Sequence, residues 1–280
     1  MNLLRRFTRR PGRAVAEATA LVVAAVVAFP LYWMVLSAFK PAGEIRGEPR
    51  PWTLAPTLDS FRRVFGQQDF GRYFLNSVVV AVAVVIASAF IAFLAATAVT
   101  RFRFRLRTTL LIMFLVAQMV PVEALTIPLF FAMRDLGQLN TLWSLILPHI
   151  AFSLPFAIWM LRGFVKGVPE ALEEAAYMDG ASRARFLWQI LFPLVLPGLV
   201  ATSVFSFISA WNDFLFAKSF IISDISQSTL PMALLVFYKP DDPDWGGVMA
   251  ASTVMTIPVL VFFVLVQRRL VSGLGGAVKD

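Results

Sequence analysis

PEALEEAAYMDGASRARFLWQILFP, residues 169–193, is a polar block set between two long apolar stretches. It holds Glu170, Glu173, Glu174, Asp179, Arg183 and Arg185, while the neighbouring segments carry almost no charge. The local signals predict two short helices around a glycine. Pro169 suits a first helical turn, and Glu170, Glu173 and Glu174 fall near that helix's positive end. Gly180 is a natural left-handed stop, and Ser182 is placed to cap a second helix running through Phe186, Leu187, Ile190 and Leu191. Leu172, Ala175 and Ala176 share one face, where small side chains let another surface approach closely. The expected shape is a compact helical knob with an acidic shoulder, offered to something in the aqueous phase.

The segments around the knob belong in a membrane. Hydrophobic residues make up 59% of the 280 and charged residues only 15%, with mean hydropathy +0.75; soluble domains are about half apolar and about a quarter charged. A helix needs about 20 apolar residues to cross a hydrocarbon core of about 30 Å. Six stretches qualify, at 15–38, 73–99, 108–133, 142–161, 194–217 and 248–266. The chain is therefore read as all-α and integral to the membrane, one transmembrane domain over 1–280, with loops at 40–72 and 163–193. The first stretch is too long for the apolar core of a signal peptide and lacks an A-x-A site.

The charge of +8 is concentrated at span ends. Arg5, Arg6, Arg9, Arg10 and Arg13 precede the first span, and Arg101, Arg103, Arg105 and Arg107 follow the second. Arg162 and Lys166 follow the fourth, and Arg268 and Arg269 the sixth. Excess Lys and Arg marks cytoplasmic ends, so both termini and the knob are expected inside. Arg134-Asp135 and the Asp241, Asp242, Asp244 stretch then fall outside. Segment 40–72 runs against the rule, with Lys40, Arg46, Arg50, Arg62, Arg63 and Arg72, but it mixes in Glu44, Glu48, Asp59 and Asp69 and is outvoted. The same segment is Pro-rich and then amphipathic at Leu58, Phe61, Val64 and Phe65. That spacing fits a helix on the outer surface or against a partner, and equally a tethered loop with one packed turn. Arginines hugging span ends point to lipid head groups as counter-ions, not nucleic acid. The absence of cysteine excludes a disulfide framework and thiolate metal sites.

No enzyme signature is present: no G-x-x-x-x-G-K-[ST], no H-E-x-x-H and no G-x-S-x-G. His149 is the single histidine, and a lone one makes no zinc site. Intramembrane polar residues are the remaining candidates for a solute pathway. Glu123, between Pro121 and Pro128, either lines a pathway or sits solvated near the outer interface. Trp211, Asn212 and Asp213 combine a ring for C–H faces with polar groups for hydroxyls. For Asp213 the favoured reading is structural, a cross-helix hydrogen bond or the satisfaction of a bend. Phe152 and Phe156, around Pro155, are weaker candidates. No chain of Asp, Glu and His supports a proton relay, so uphill transport needs work supplied from outside this chain.

Glu174-Ala175-Ala176, three residues, Gly180, nine residues, Ile190, one residue and Phe192-Pro193 resembles the EAA loop of ATP-binding-cassette (ABC) importer permeases. The family pattern is E-A-A-x3-G-x9-I-x-L-P, with Phe192 here in place of Leu. Asn76-Ser77, Ile127-Pro128-Leu129-Phe130, Trp211 to Leu215, Thr229-Leu230-Pro231, and Gly273-Leu274 with Gly276 to Lys279 are similar to the sugar-importer branch, specifically the second permease of the maltose system. The resemblance covers about residue 70 to the C-terminus. It implies a six-helix type I importer permease fold in a bacterial or archaeal inner membrane. It also implies a second related permease, two cytoplasmic ATPase copies carrying ATP and Mg, an extracytoplasmic solute-binding protein, and no cofactor on this chain. Leu172, Glu173, Glu174, Ala175, Ala176, Met178, Asp179 and Gly180 then form a coupling helix and its turn, with Glu173 or Glu174 paired to a basic residue of the ATPase. The alternative is an ATP-independent transporter or channel for a polar solute.

Overall fold

Among the residues that the computed structural model describes, 11–66, 69–238 and 240–275, every regular element is helical. Arg5, Arg6, Arg9, Arg10 and the tail residues Gly276, Ala277, Val278 and Lys279 lie outside the described residues, as do the side chains of Arg13, Arg268 and Arg269. The helices follow the apolar runs. In order they are α1 (Pro11–Ala38), α2 (Ala42–Arg46), α3 (Asp59–Gly66), α4 (Phe70–Arg101), α5 (Arg107–Ala117), α6 (Thr126–Asp135) and α7 (Trp143–Gly167). They continue as α8 (Glu170–Met178), α9 (Arg183–Arg185), α10 (Phe192–Trp211), α11 (Leu215–Phe220), α12 (Leu230–Phe237) and α13 (Trp245–Gly275).

Among the described residues, five continuous helical stretches are long and apolar enough to cross a membrane: Val15–Ala38, Phe70–Arg101, Trp143–Gly167, Arg183–Trp211 and Trp245–Gln267. The sequence predicts one further helix over 108–133, and the structure differs there. Arg107–Ala117 and Val122–Asp135 meet at a bend of 95°. Pro121 cannot donate to the helical ladder and disfavours helix at Val120, so the break falls where the proline dictates. Pro128 sits in the first turn of α6, where its missing N–H costs nothing. The predicted fifth span also changes at both ends. It begins early, through α9 and a π-helical turn at Phe186–Leu191, and stops at Trp211 instead of continuing to Ala217. The widened turn lies just before Pro193, whose ring and absent N–H disturb the ladder of the preceding turn.

The chain divides into two compact units. In the unit of Asp69–Leu235 with Met255–Asp280, α4, α7 and α10 pack on one another. Ala92, Phe93, Ala96, Leu161, Val165, Leu191 and Val195 are its centre. Small side chains matter because packing, not water exclusion, drives association in lipid. A Cβ on Gly198 of α10 would lie 2.5 Å from the Phe164 ring of α7, so only glycine permits that crossing. Ser88 Oγ donates to Ser206 Oγ at 3.2 Å between α4 and α10. Asn76 Nδ2 donates to the carbonyls of Ser226 and Ser228, both at 2.9 Å, and Ser77 Oγ accepts from Leu230 N at 2.8 Å. The Asn76-Ser77 pair thus ties the start of α4 to the chain entering α12.

The other unit comprises Met1–Gln68 with Val236–Val254. The apolar window of α1 has none of its surface buried, so its side chains are left for lipid or another chain. The loop after α1 is folded, with Ser60 and Val64 of α3 buried. Arg63 binds Asp244 through two hydrogen bonds, at 2.9 and 3.1 Å, and Arg46 pairs with Asp242. Lys40 is buried, donates to the Arg50 carbonyl and lies 4.9 Å from the Trp33 ring centroid.

Gly198→Ala is expected to destabilise the protein by about 1–3 kcal/mol, as over-packing does, and Phe164→Leu added to it should recover part of that loss; melting of the detergent-solubilised protein reads both. The Arg63–Asp244 link carries a pH signature. Burial pushes the Asp244 carboxyl up, but hydrogen bonds from Arg63 and the Gly247 N–H outweigh it and hold it below its ordinary value. Stability from a carboxyl depressed on folding is complete above the ordinary carboxylate value and is lost as pH falls through the folded one. Protease protection of residues 40–66 should therefore fall only in that acid range, and Arg63→Ala should remove the acid-dependent component.

Candidate functional site

The knob begins immediately after α7. Val168 is extended, Pro169 starts the turn, and α8 carries Glu170 and Glu173 in its first turn. Its end is a Schellman motif: Ala181 N donates to Ala176 O at 2.9 Å, and Gly180 N donates to Tyr177 O at 3.0 Å. Gly180 has φ +79°, in the left-handed region. A Cβ there would meet nothing within 4 Å, so the glycine is needed for its backbone conformation and not for space. Ser182 Oγ accepts from Arg185 N at 3.2 Å, which caps the next segment.

The two faces of α8 have different partners. Ala176 is buried against the α4–α7–α10 body, while Leu172, Glu174, Ala175, Met178 and Asp179 are exposed, Met178 at 87%. Leu172, Ala175 and Met178 recur every three residues and make an apolar stripe with Glu174 beside it. Ala176, grouped with Leu172 and Ala175 on sequence, lies at the edge of that face where it turns into the body, and is buried while the other two are exposed.

Glu173 is not available to an outside partner. Its Oε2 lies 3.4 Å from Arg101 Nε, and its Oε1 accepts from Tyr177 Oη at 2.9 Å. The Arg101 side chain is only 7% exposed. It also donates to Val165 O at 3.2 Å and Val168 O at 2.8 Å, at the carbonyl end of α7, and approaches Glu170 at 4.0 Å. Burial, with the hydrogen bond to Glu173 and its charge adding to it, pushes the Tyr177 hydroxyl above its ordinary value, so it remains a donor. The sequence marks Arg101 as one of four basic residues at a span end. No local spacing connects it with Glu173, because their proximity is set by tertiary packing.

Of the pathway candidates, Asp213 and Phe152 meet around Phe216, and Trp211 and Phe156 have partners of their own. Trp211 is buried, stacked on Phe207 at 5.5 Å with Phe74 edge-on at 6.1 Å, and its Nε1 donates to Met255 O at 3.1 Å. Its ring is thus occupied by the chain itself. Asn212 is exposed. Asp213 accepts from Phe216 N at 3.2 Å and Ala217 N at 3.0 Å, closing the amino end of α11, and lies 3.6 Å from His149 Nε2. Phe152 stacks on Phe216, and Phe156 meets Phe205 at 4.4 Å. Glu123 is exposed in the 3-10 turn that follows Pro121.

Comparison with known proteins accords with this architecture. The alginate-importing bacterial ABC transporter has a chain that superposes with a TM-score of 0.79 at 20% identity, covering 94% of this chain and 98% of that one. That likeness gives the fold, an ABC importer permease fold. The diacetylchitobiose uptake system permease protein DasC of Streptomyces coelicolor is 40% identical over 270 residues, 96% of this chain and 98% of the relative. The trehalose/maltose transport system permease protein MalG of Thermococcus litoralis is 36% identical over 264 residues, 93% and 94% of the two chains. Residues 88–275, which hold α8 and the helices that carry it, match the family described as binding-protein-dependent transport system inner membrane components, and the chain belongs to that family.

Proposed function

We propose that this chain is one transmembrane permease subunit of an ATP-driven importer for a sugar or oligosaccharide, and that α8 is its coupling helix. The exposed stripe of Leu172, Ala175 and Met178 with Glu174 beside it, held out on the Gly180 turn, carries this reading. It is a small apolar ridge with an acid at its edge, shaped to seat in a groove with a basic residue nearby. Glu174, beside the stripe, is the acid assigned to the ATPase contact, since Glu173 is held by Arg101 and Tyr177. The partners are two cytoplasmic ATPase copies that bind ATP and Mg, a second homologous permease, and an extracytoplasmic solute-binding protein. The unburied apolar window of α1 supplies surface for the second permease and for lipid. The sugar class is supported by the substrates named for DasC and MalG.

In this reading both termini and α8 face the cytoplasm. The basic loop that runs against the orientation is charge-compensated, which supports the assignment. Arg46, Arg50, Arg62 and Arg63 pair with Asp242, Glu48, Asp59 and Asp244 respectively. Arg134, in the last turn of α6 and also assigned to the outside, pairs with Asp135. When the ATPase pair closes on ATP, the groove carries α8 with it. The α4–α7–α10 body follows as a rigid element and switches the accessible side. The ATPase biases the two states by binding one of them better.

The decisive experiment reconstitutes this chain with a second permease, the ATPase and the binding protein in vesicles, and follows sugar uptake. Uptake should require ATP; uptake by the permease alone would replace this reading with an ATP-independent carrier. Glu174→Ala should weaken ATPase engagement by about 1.5–3 kcal/mol, the value of a charge-assisted hydrogen bond, roughly tenfold or more. Gly180→Val should cost about 1–2 kcal/mol through the left-handed residue alone and lower uptake per ATP hydrolysed; Gly180→Asn, which tolerates that conformation, should do far less.

A further inference from the structure

One guanidinium touches three elements at the base of α8. Arg101 is the last residue of α4, its donors reach two carbonyls at the end of α7, and its Nε faces Glu173 in the first turn of α8. We infer that Arg101 is a positioning residue that makes α8 move as one body with α4 and α7, so that force applied to the knob reaches the spans. This deepens the coupling reading above and rests on it.

The argument starts from how little else holds α8. It has nine residues, and only Ala176 among them is buried. A helix that short has no stability of its own, and one alanine gives a small apolar footprint. The Tyr177 and Phe186 rings meet at 5.9 Å at its far end. Ala176 is the one buried residue of α8 that joins the core shared with α4. A cleft of about 460 Å³ opens toward α4, walled by Leu94, Ala98, Phe102 and Leu187. Arg101 and Glu173 both line that cleft, and their ion pair is the bridge at its edge.

The chemistry suits a mechanical link. A planar guanidinium presents five N–H donors in fixed directions, so it can hold backbone carbonyls and a carboxylate at once; an ammonium has no such fork. The cation sits at the negative end of the α7 dipole, and Glu173 sits at the positive end of α8, so both charges favour the ends they occupy. Tyr177, protonated, ties the second oxygen of Glu173 and fixes its rotamer. Removing Arg101 would leave a largely enclosed carboxylate without its counter-charge, and would take the guanidinium donor from Val168 O and from Val165 O, which keeps only Val168 N. It would leave the outward face of Glu174, Ala175 and Met178 untouched. A seated ATPase could then still hydrolyse ATP while α8 swings on its own.

The test uses the full complex in vesicles and reads the ratio of sugar imported to ATP hydrolysed. Arg101→Ala is expected to keep ATP hydrolysis within about twofold and to lower the ratio at least tenfold, inside the roughly 5–150-fold span of ordinary coupling free energies. Arg101→Lys and Glu173→Gln should lower it less, and Tyr177→Phe least. The chain has no cysteine, so spin labels at Ala171→Cys in α8 and Ile91→Cys, exposed on α4, report the α8–α4 distance without background from this chain; that distribution should broaden in Arg101→Ala. An unchanged ratio, or uptake and hydrolysis falling together with an unchanged distance, overturns the inference. If Arg101→Ala does not assemble, the ratio and distance in Arg101→Lys and Glu173→Gln decide by the same criteria. A wild-type complex without ATP-dependent uptake overturns the coupling reading itself, and is recognised before any variant is compared.

Discussion

Polypeptide in hydrocarbon must satisfy every backbone N–H and C=O from within the chain, because the lipid offers no hydrogen bonds. That constraint explains both the long helices and the nature of their interruptions. Where α10 stops at Trp211, the Asp213 carboxylate accepts two backbone N–H groups of α11 and so replaces acceptors the broken ladder no longer supplies. Where α4 begins, Asn76 and Ser77 treat the chain around 226–230 the same way. At the end of α7, a guanidinium donates to the carbonyls of Val165, which also accepts from Val168 N, and of Val168 in the extended residue that follows.

The same rule decides what was legible in the sequence. Apolar runs marked α1, α4, α7 and α13, since length and hydropathy alone set a spanning helix. The motif around Gly180 gave the knob, because a left-handed stop and a serine cap are local devices that need no tertiary knowledge. Proline at 121 was visible as a weakness in the third span, but a bend of 95° was not, since its angle depends on what the two halves pack against. The end of α10 was misplaced because hydropathy continues past Trp211 through Phe214, Leu215, Phe216 and Ala217. Apolar composition does not reveal that the backbone has turned.

Side-chain roles were less legible than elements. Trp211, Asn212 and Asp213 are adjacent in sequence, and a stacking ring beside polar groups is what a sugar would want. In the fold the ring goes to Phe207 and Phe74, the carboxylate to α11, and only the amide is left exposed. Adjacent residues in a helix point about 100° apart, so a cluster in sequence is rarely a cluster in space. Arg101 shows the converse, for it lies far from Glu173 in sequence yet within 3.4 Å of it in the fold.

That same 100° separates Glu173 from Glu174, and the separation divides their labour. One acid turns inward to a buried cation and the other outward beside an apolar stripe. In the proposed coupling role a lever needs both a fixed end and a gripped end, and α8 is too short to provide them at different places along its length. In that proposal they lie on different faces instead. The inward face joins an ion pair to the buried Arg101 with the packed Ala176, so charge attraction adds to the apolar contact of a single alanine. The outward face keeps Leu172, Ala175 and Met178 free to fill a groove by shape. Because both functions lie on nine residues, any substitution that rolls α8 about its axis disturbs grip and anchorage together, and this is why the turn that sets its axis ends on a glycine at φ +79°.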